Sequence, residues 1–216
     1  AGKVTNITQL TKTLTDWQKA NPESDWIVGM GYYDSLLAEG RHPTRADLDA
    51  ISPTVPIMIM HVSGHLLSCN SPCLKAAGVD ASTPNPAGGV FRRIGGSNEP
   101  NGVVEETAMQ AIAAKMPRPS ARDALEALSN YQTYYARHGL TTAQDGATSL
   151  ELLKALYGIA QTGQLKLDLA AYPHVKSAAE FDETQISDKT YDNHFRRAGI
   201  DQFARDSFRL AVLLQL

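Results

Sequence analysis

Two histidines four residues apart, His61 and His65, close the apolar run "IMIMHVSGH" at residues 57–65. Imidazoles so placed can ligate a metal, carry a proton or meet a substrate. A bare H-x3-H without a helix-borne glutamate falls well short of the H-E-x-x-H zinc pattern, so the spacing alone is a weak metal signal. Read as a strand, the run puts Ile57, Ile59 and His61 on one face and Met58, Met60 and Val62 on the other. His61 then continues an apolar face, and a packed histidine with one hydrogen bond is favoured there over a ligand. Ser63 and Gly64 should end the strand, leaving His65 in the turn at its carboxyl end, where ligands gather in α/β folds.

Other candidate groups fall at similar places. Asp145 follows "LTTAQ" and precedes a glycine; it reads either as a functional carboxylate at a strand end or as the N-cap of a helix starting near Thr148, and spacing favours the cap. Asp34 after "GMGYY" carries the same ambiguity. Glu105 and Glu106 should open a helix, where the dipole favours carboxylates without any chemistry. His174 closes another strand. Cys69 and Cys73, the two cysteines of the chain, have no second pair to complete a zinc site, and reduced, half-buried thiols are expected. Neither a G-x-S-x-G nucleophile elbow nor a phosphate loop is present: "GGVFRRIGG" lacks the G-K-[ST] ending.

Alternating elements must position these groups. "ITQLTKTLTDWQKANPES" spaces Ile7, Leu10, Leu14 and Trp17 as a helix that Asn21-Pro22 ends. "DWIVGMGYYD" and "VPIMIMH" read as strands, with a short helix over "HPTRADLDAIS" between them. "NSPCLKAAGV" has Pro72 near a helix start and Gly78 as its stop. Residues 80–102 carry no periodicity and read as a long loop or small excursion of about 20 residues. A helix should follow, with Val103, Met109, Ile112 and Ala113 on its apolar face. "SARDALEALSNYQTYYARHG" offers Ser120 and Asp123 as a capping box and Gly139 as a stop. The second half then runs strand, helix, strand, which argues for parallel α/β packing.

The bulk numbers exclude several classes. At 216 residues with 43% hydrophobic and 20% charged residues, the chain is an ordinary globular one. A net charge of −3 with scattered Lys and Arg leaves no footprint for nucleic acid. No apolar stretch approaches the roughly 18 residues of a membrane span. The reduced-thiol expectation favours a cytoplasmic setting.

The wording of the chain resembles the amidohydrolase superfamily, in the branch that includes N-substituted formamide deformylase. The resemblance rests on "WIVGMGYYDSLLAEGRHPTRADLDAISPTVPIMIMHVSGHLLSCNS", on "GGVFRR" with "GSNEPNGVVEE", on "GLTTAQDGAT" and on "YDNHFRRAGI", in that order over about residues 5–200. It implies a (β/α)8 barrel, here incomplete, and a hydrolase that attacks an amide or cyclic amide C–N bond with water activated by a divalent metal, zinc above all. By the same resemblance Glu106 matches a glutamate that contributes a metal ligand. His65 and Asn70 lie near the substrate, and Asp145 is a catalytic carboxylate at a barrel strand end.

Departures from the pattern matter as much. The family's H-x-H pair is absent, as are the later single histidines and the final aspartate, and residues 201–216 have no family counterpart. One carboxylate cannot hold a catalytic zinc, which takes about three protein ligands. The expectation is an interior slice of the enzyme, inactive alone and able to stand without bound metal in this chain; the alternative is a non-enzymatic small-molecule binding or interaction module. An open slice leaves strand edges unpaired, so a homo-oligomer that covers them is expected.

Overall fold

The computed structural model describes residues 4–118, 120–174, 186 and 190–198. The chain divides into two compact units, Ala1–Pro117 and Arg118–Leu216.

In the first unit, helix α1 (Ile7–Ala20) starts at Asn6, whose side chain accepts the Gln9 N–H. Ile7 and Leu10 are buried as the spacing predicts, whereas Trp17 remains 42% exposed. Strand β1 (Ile27–Tyr32) pairs in parallel with β2 (Ile57–His61), and α2 (Arg45–Asp49) lies in the connection between them. Thr44 and Asp47 form the capping box that starts α2. Strand β3 (Leu66–Cys69) returns antiparallel to β2, and α3 (Ser71–Ala76) follows.

Residues 80–102 depart from expectation. They carry β4 (Gly89–Arg93) and the first part of β5 (Pro100–Glu106), an antiparallel pair that completes the sheet in the order β1-β2-β3-β5-β4. Short strands interrupted by Pro, Gly and Asn show no period-2 signal long enough to be read. Val103, Glu105 and Glu106 accordingly lie in a strand, and the helix expected over them shrinks to α4 (Met109–Ala113). Gly102 makes the tight layering possible: at φ +101° a Cβ on it would stand 2.4 Å from the Cys69 carbonyl oxygen and 2.6 Å from the Arg45 nitrogen.

Ile57, Ile59, Ile27 and Tyr32 share one core with Ile7, Leu10 and Leu48 of the helices. Cys69 and Cys73 are fully buried and joined in a disulfide, with Cα atoms 5.6 Å apart. This corrects the expectation of half-buried free thiols: the turn from β3 into α3 brings the two Cα atoms within bridging range.

The second unit holds α5 (Ala121–Arg137), β6 (Thr142–Thr148), α6 (Leu150–Gln161), β7 (Asp168–Pro173) and β8 (Phe195–Arg197). The Ser120–Asp123 capping box is present, and Gly139 leaves α5 at φ +74°. Strands β6 and β7 pair in parallel, as the alternation of elements predicts, and β8, which that alternation did not announce, adds in parallel beside β7. Leu128 of α5 and Leu153, Leu156 and Ala160 of α6 pack with Ala171 and Phe195 of the strands. No closed barrel forms among the described residues, and the first sheet mixes parallel and antiparallel pairs. Residues 201–216, expected to diverge from the family, lie outside the described residues.

Candidate functional site

The carboxyl ends of β1, β2 and β5 meet at one edge of the first sheet, because β1 and β2 are parallel and β5 reaches the same edge through two antiparallel steps. Beyond β1 follow Tyr33 and Asp34; beyond β2 comes the turn from Val62 to His65; β5 ends on Glu106.

Two separate groups assemble there. In the first, His61 is 8% exposed and uses both ring nitrogens. Its Nε2 lies 3.0 Å from Asp34 Oδ1, and its Nδ1 lies 2.8 Å from Ser63 Oγ. The Ser63 backbone N–H also donates to Nδ1 at 3.1 Å. A nitrogen that accepts an N–H carries no proton, so Nε2 bears it and donates to Asp34. The rings of Tyr32, Tyr33 and His42 meet the His61 ring edge-on, with centroids 5.2, 5.6 and 5.7 Å away. Tyr32 Oη stands 3.2 Å from both His42 Nδ1 and Ser68 Oγ.

The electrostatics follow from this packing. Burial pushes the Asp34 carboxyl up, but the charge of His42 and the hydrogen bond from His61 outweigh it and hold the group below its ordinary range. Burial lowers His42, against the pull of Asp34. Burial also drives the Tyr32 phenol up to about 12, despite the Ser68 hydrogen bond. The group therefore holds an ionised carboxylate beside a histidine and a phenol that resist charging.

The second group is His65 with Glu106. His65 Nδ1 lies 3.0 Å from Glu106 Oε1 and 3.2 Å from Oε2. The Glu106 N–H donates to the His65 carbonyl oxygen at 2.9 Å, and Glu106 adopts φ +50°. Both side chains are close to half exposed. Of the residues singled out by sequence, His65 and Glu106 are brought together here, as Asp34 and His61 are in the first group.

Asn70 is placed otherwise. Its side chain is fully buried, and its oxygen accepts the N–H groups of Ile57 at 2.8 Å and Cys73 at 3.0 Å. Its amide donates to the carbonyls of Ser52 at 3.2 Å and Val55 at 2.8 Å. All four hydrogen-bonding positions of the amide are used, which leaves none for a substrate. The expectation that Asn70 binds substrate gives way to a cap on α3 that also ties β2 to the preceding turn.

In the second unit Asp145 is 2% exposed and accepts the Thr148 hydroxyl at 2.7 Å. It lies within β6, and Ser149 is the N-cap of α6, so the capping reading of Asp145 is corrected. It borders a cavity of about 40 Å³ among Leu128, Tyr131, Tyr135 and Leu167. The backbone N–H of His174 donates to Thr148 at 2.7 Å.

Sequence reasoning missed His42, Ser63 and Tyr32 as partners of His61. Their signal was the strand-end position of "GYYD" and the polar turn after His61; His42 lies in an irregular connection that no periodicity reaches.

Among the described residues, no three His, Cys, Asp or Glu side chains converge as a metal would require. Among the described residues, Glu106 and His65 supply two groups that engage each other, short of the about three protein ligands that a catalytic zinc takes.

A sequence model of the Amidohydrolase family matches residues 1–214. N-substituted formamide deformylase of Arthrobacter pascens is 33% identical over 140 residues, which cover 62% of this chain and 26% of that protein. The putative amidohydrolase YtcJ of Bacillus subtilis is 28% identical over 126 residues, 58% of this chain and 24% of its own length. Protein LONG AFTER FAR-RED 3 of Arabidopsis thaliana is 31% identical over 137 residues, 63% and 23%. The chain thus spans about a quarter of the length of these relatives. An uncharacterized metal-dependent hydrolase from Pyrococcus furiosus has a similar fold, with TM-score 0.57 and 20% identity over 91% of this chain and 38% of that one. The match along nearly the whole sequence, together with this fold, places the chain in the amidohydrolase family.

Proposed function

We propose that the chain is a segment of a metal-dependent amidohydrolase that cleaves an amide-type C–N bond of a small molecule, and that its 216 residues are inactive alone. The observation that carries this reading is the Glu106–His65 pair at the carboxyl edge of the sheet. A non-glycine residue held at φ +50° is strained, and such strain concentrates at functional positions. In the whole enzyme a divalent metal, zinc by preference, would supply the activated water. What this chain contributes is Glu106, with His65 holding its carboxylate through Nδ1 and its backbone through the carbonyl oxygen. Asp145, a buried carboxylate on a parallel strand, is kept as a catalytic candidate. The formamide substrate of one relative makes N-substituted formamides the first substrates to test.

The test is hydrolysis of an N-substituted formamide by the purified chain with zinc or manganese added, beside a longer chain that supplies the missing ligands. Activity confined to the longer chain, and lost with Glu106→Gln, supports the reading. Activity of the longer chain unaffected by Glu106→Gln overturns the role of Glu106.

A further inference from the structure

We propose that Ser63 is a metal-independent nucleophile, activated by the relay Asp34–His61–Ser63, which accepts activated acyl or phosphonyl groups. The relay has the connectivity of a nucleophile, a base and an orienting carboxylate. Asp34 Oδ1 accepts the Nε2 proton of His61 at 3.0 Å, and the unprotonated Nδ1 faces Ser63 Oγ at 2.8 Å. Asp34 is a positioning residue: it fixes the tautomer that leaves Nδ1 free of a proton, and its ionised state stabilises the imidazolium that forms. His61 is buried and braced by three aromatic rings, whereas Ser63 is exposed and open to a reagent. The His65 N–H donates to Ser63 Oγ at 3.2 Å, which orients the oxygen.

A cavity of about 420 Å³ borders the relay through Tyr32, Tyr33 and Val62, and continues over Met30, Leu36 and Leu14. Its apolar lining suits a fatty or aromatic acyl group. The step balances without any cofactor. The Ser63 hydroxyl proton passes to His61 Nδ1, displacing the Ser63 N–H from that lone pair. Oγ bonds to the carbonyl carbon of a nitrophenyl ester, and the C–O bond to nitrophenolate breaks; with a fluorophosphonate, Oγ bonds to phosphorus and the P–F bond breaks to release fluoride. His61 releases its proton to solvent and then serves as base for the water that hydrolyses the acyl-serine. The N–H groups of Ser63, Gly64 and His65 are all engaged within the turn, at His61 Nδ1, the His61 carbonyl and Ser63 Oγ. No preformed donor pair therefore awaits an oxyanion in this turn, which confines the reaction to groups with good leaving groups.

The experiment treats the full chain with a fluorophosphonate and with p-nitrophenyl butyrate, in the presence of a metal chelator. Chelation makes the outcome independent of the metal-dependent reading above. Peptide mapping should find the label on Ser63, with labelling abolished by Ser63→Ala and slowed at least tenfold by Asp34→Asn and by His61→Gln. Circular dichroism checks that each variant folds; Ser63→Ala, at an exposed turn, is the variant that leaves the core untouched. Absence of label in the folded wild-type chain overturns the proposal. So does labelling at Ser63 that Asp34→Asn and His61→Gln leave at the wild-type rate, which would be the reactivity of any surface serine.

Discussion

His65 and Glu106 hold each other twice, by imidazole to carboxylate at 3.0 Å and by the Glu106 N–H to the His65 carbonyl at 2.9 Å. The two residues are 41 apart in sequence and reach this contact because β3 and β5 pair antiparallel, with Leu66 opposite Glu105. A half-exposed imidazole–carboxylate contact of this kind contributes about 0–1 kcal/mol. Stability therefore does not explain a glutamate at a left-handed backbone position.

The backbone at Glu106 gives a direct prediction. Glu106→Gly relieves the strain of φ +50° and loses only the exposed pair, so folding stability should stay within about 1 kcal/mol of wild type. Glu106→Ala keeps the strain and loses the pair, and should be less stable than the glycine variant by about 1 kcal/mol. Urea unfolding of both variants measures the difference; an alanine variant equal to or more stable than the glycine one would remove the strain argument.

Asn70 should behave as a structural residue. Its replacement by alanine leaves the N–H groups of Ile57 and Cys73 and the carbonyls of Ser52 and Val55 without their partner in the core. Each such buried group costs about 1–3 kcal/mol, so Asn70→Ala should destabilise the chain by at least about 2 kcal/mol. Chemical denaturation reads this, and a change below about 0.5 kcal/mol would show that the amide network is dispensable.

Acid should act on the start of α2. Burial raises the Asp47 carboxyl, but the Arg41 guanidinium and the Thr44 N–H and hydroxyl outweigh it and hold the group at about 2. A carboxylate depressed in the folded state stabilises above its unfolded value, near 4, and loses that contribution as pH falls through its folded value. Wild type should therefore lose stability between about pH 4 and pH 2 more steeply than Asp47→Asn. Equal slopes for the two proteins in acid-unfolding curves would contradict the assignment.

Among the described residues strand β1 pairs with β2 alone, and its Val28 and Met30 side chains are 39% and 50% exposed. An edge of this kind invites pairing with a second copy. Sedimentation should find the chain self-associated, and Met30→Lys should shift it toward monomer. A wild-type chain that is monomeric at tens of micromolar would contradict this.

Legibility in the sequence followed the length of the periodic segments. Helices α1, α5 and α6 and strands β6 and β7 carry clear spacing and stop signals, and they formed as read, whereas β8 is too short to show a period. Strands β4 and β5 are short, broken by Pro100 and Gly102, and specified by pairing across the sheet rather than by local pattern. The edge position of His65 was legible from the Ser63-Gly64 turn. Its partner was not, since contact with Glu106 depends on a sheet register that no local window contains. The motif around Asn70 identified a family segment, yet the side chain turned inward, because a helix start and a strand end both needed its amide. Cys69 and Cys73 lie on two different elements, and their approach depends on the turn from β3 into α3 rather than on a local pattern.

The chain belongs to the amidohydrolase family, and the function proposed for it holds that its 216 residues do not by themselves complete a metal site. Elemental analysis of the purified chain after dialysis against zinc tests this most directly. The account predicts well under one equivalent of retained metal and no hydrolysis of an N-substituted formamide. Close to one equivalent of zinc, retained by the wild-type chain and lost on Glu106→Gln, with formamide hydrolysis, would contradict it.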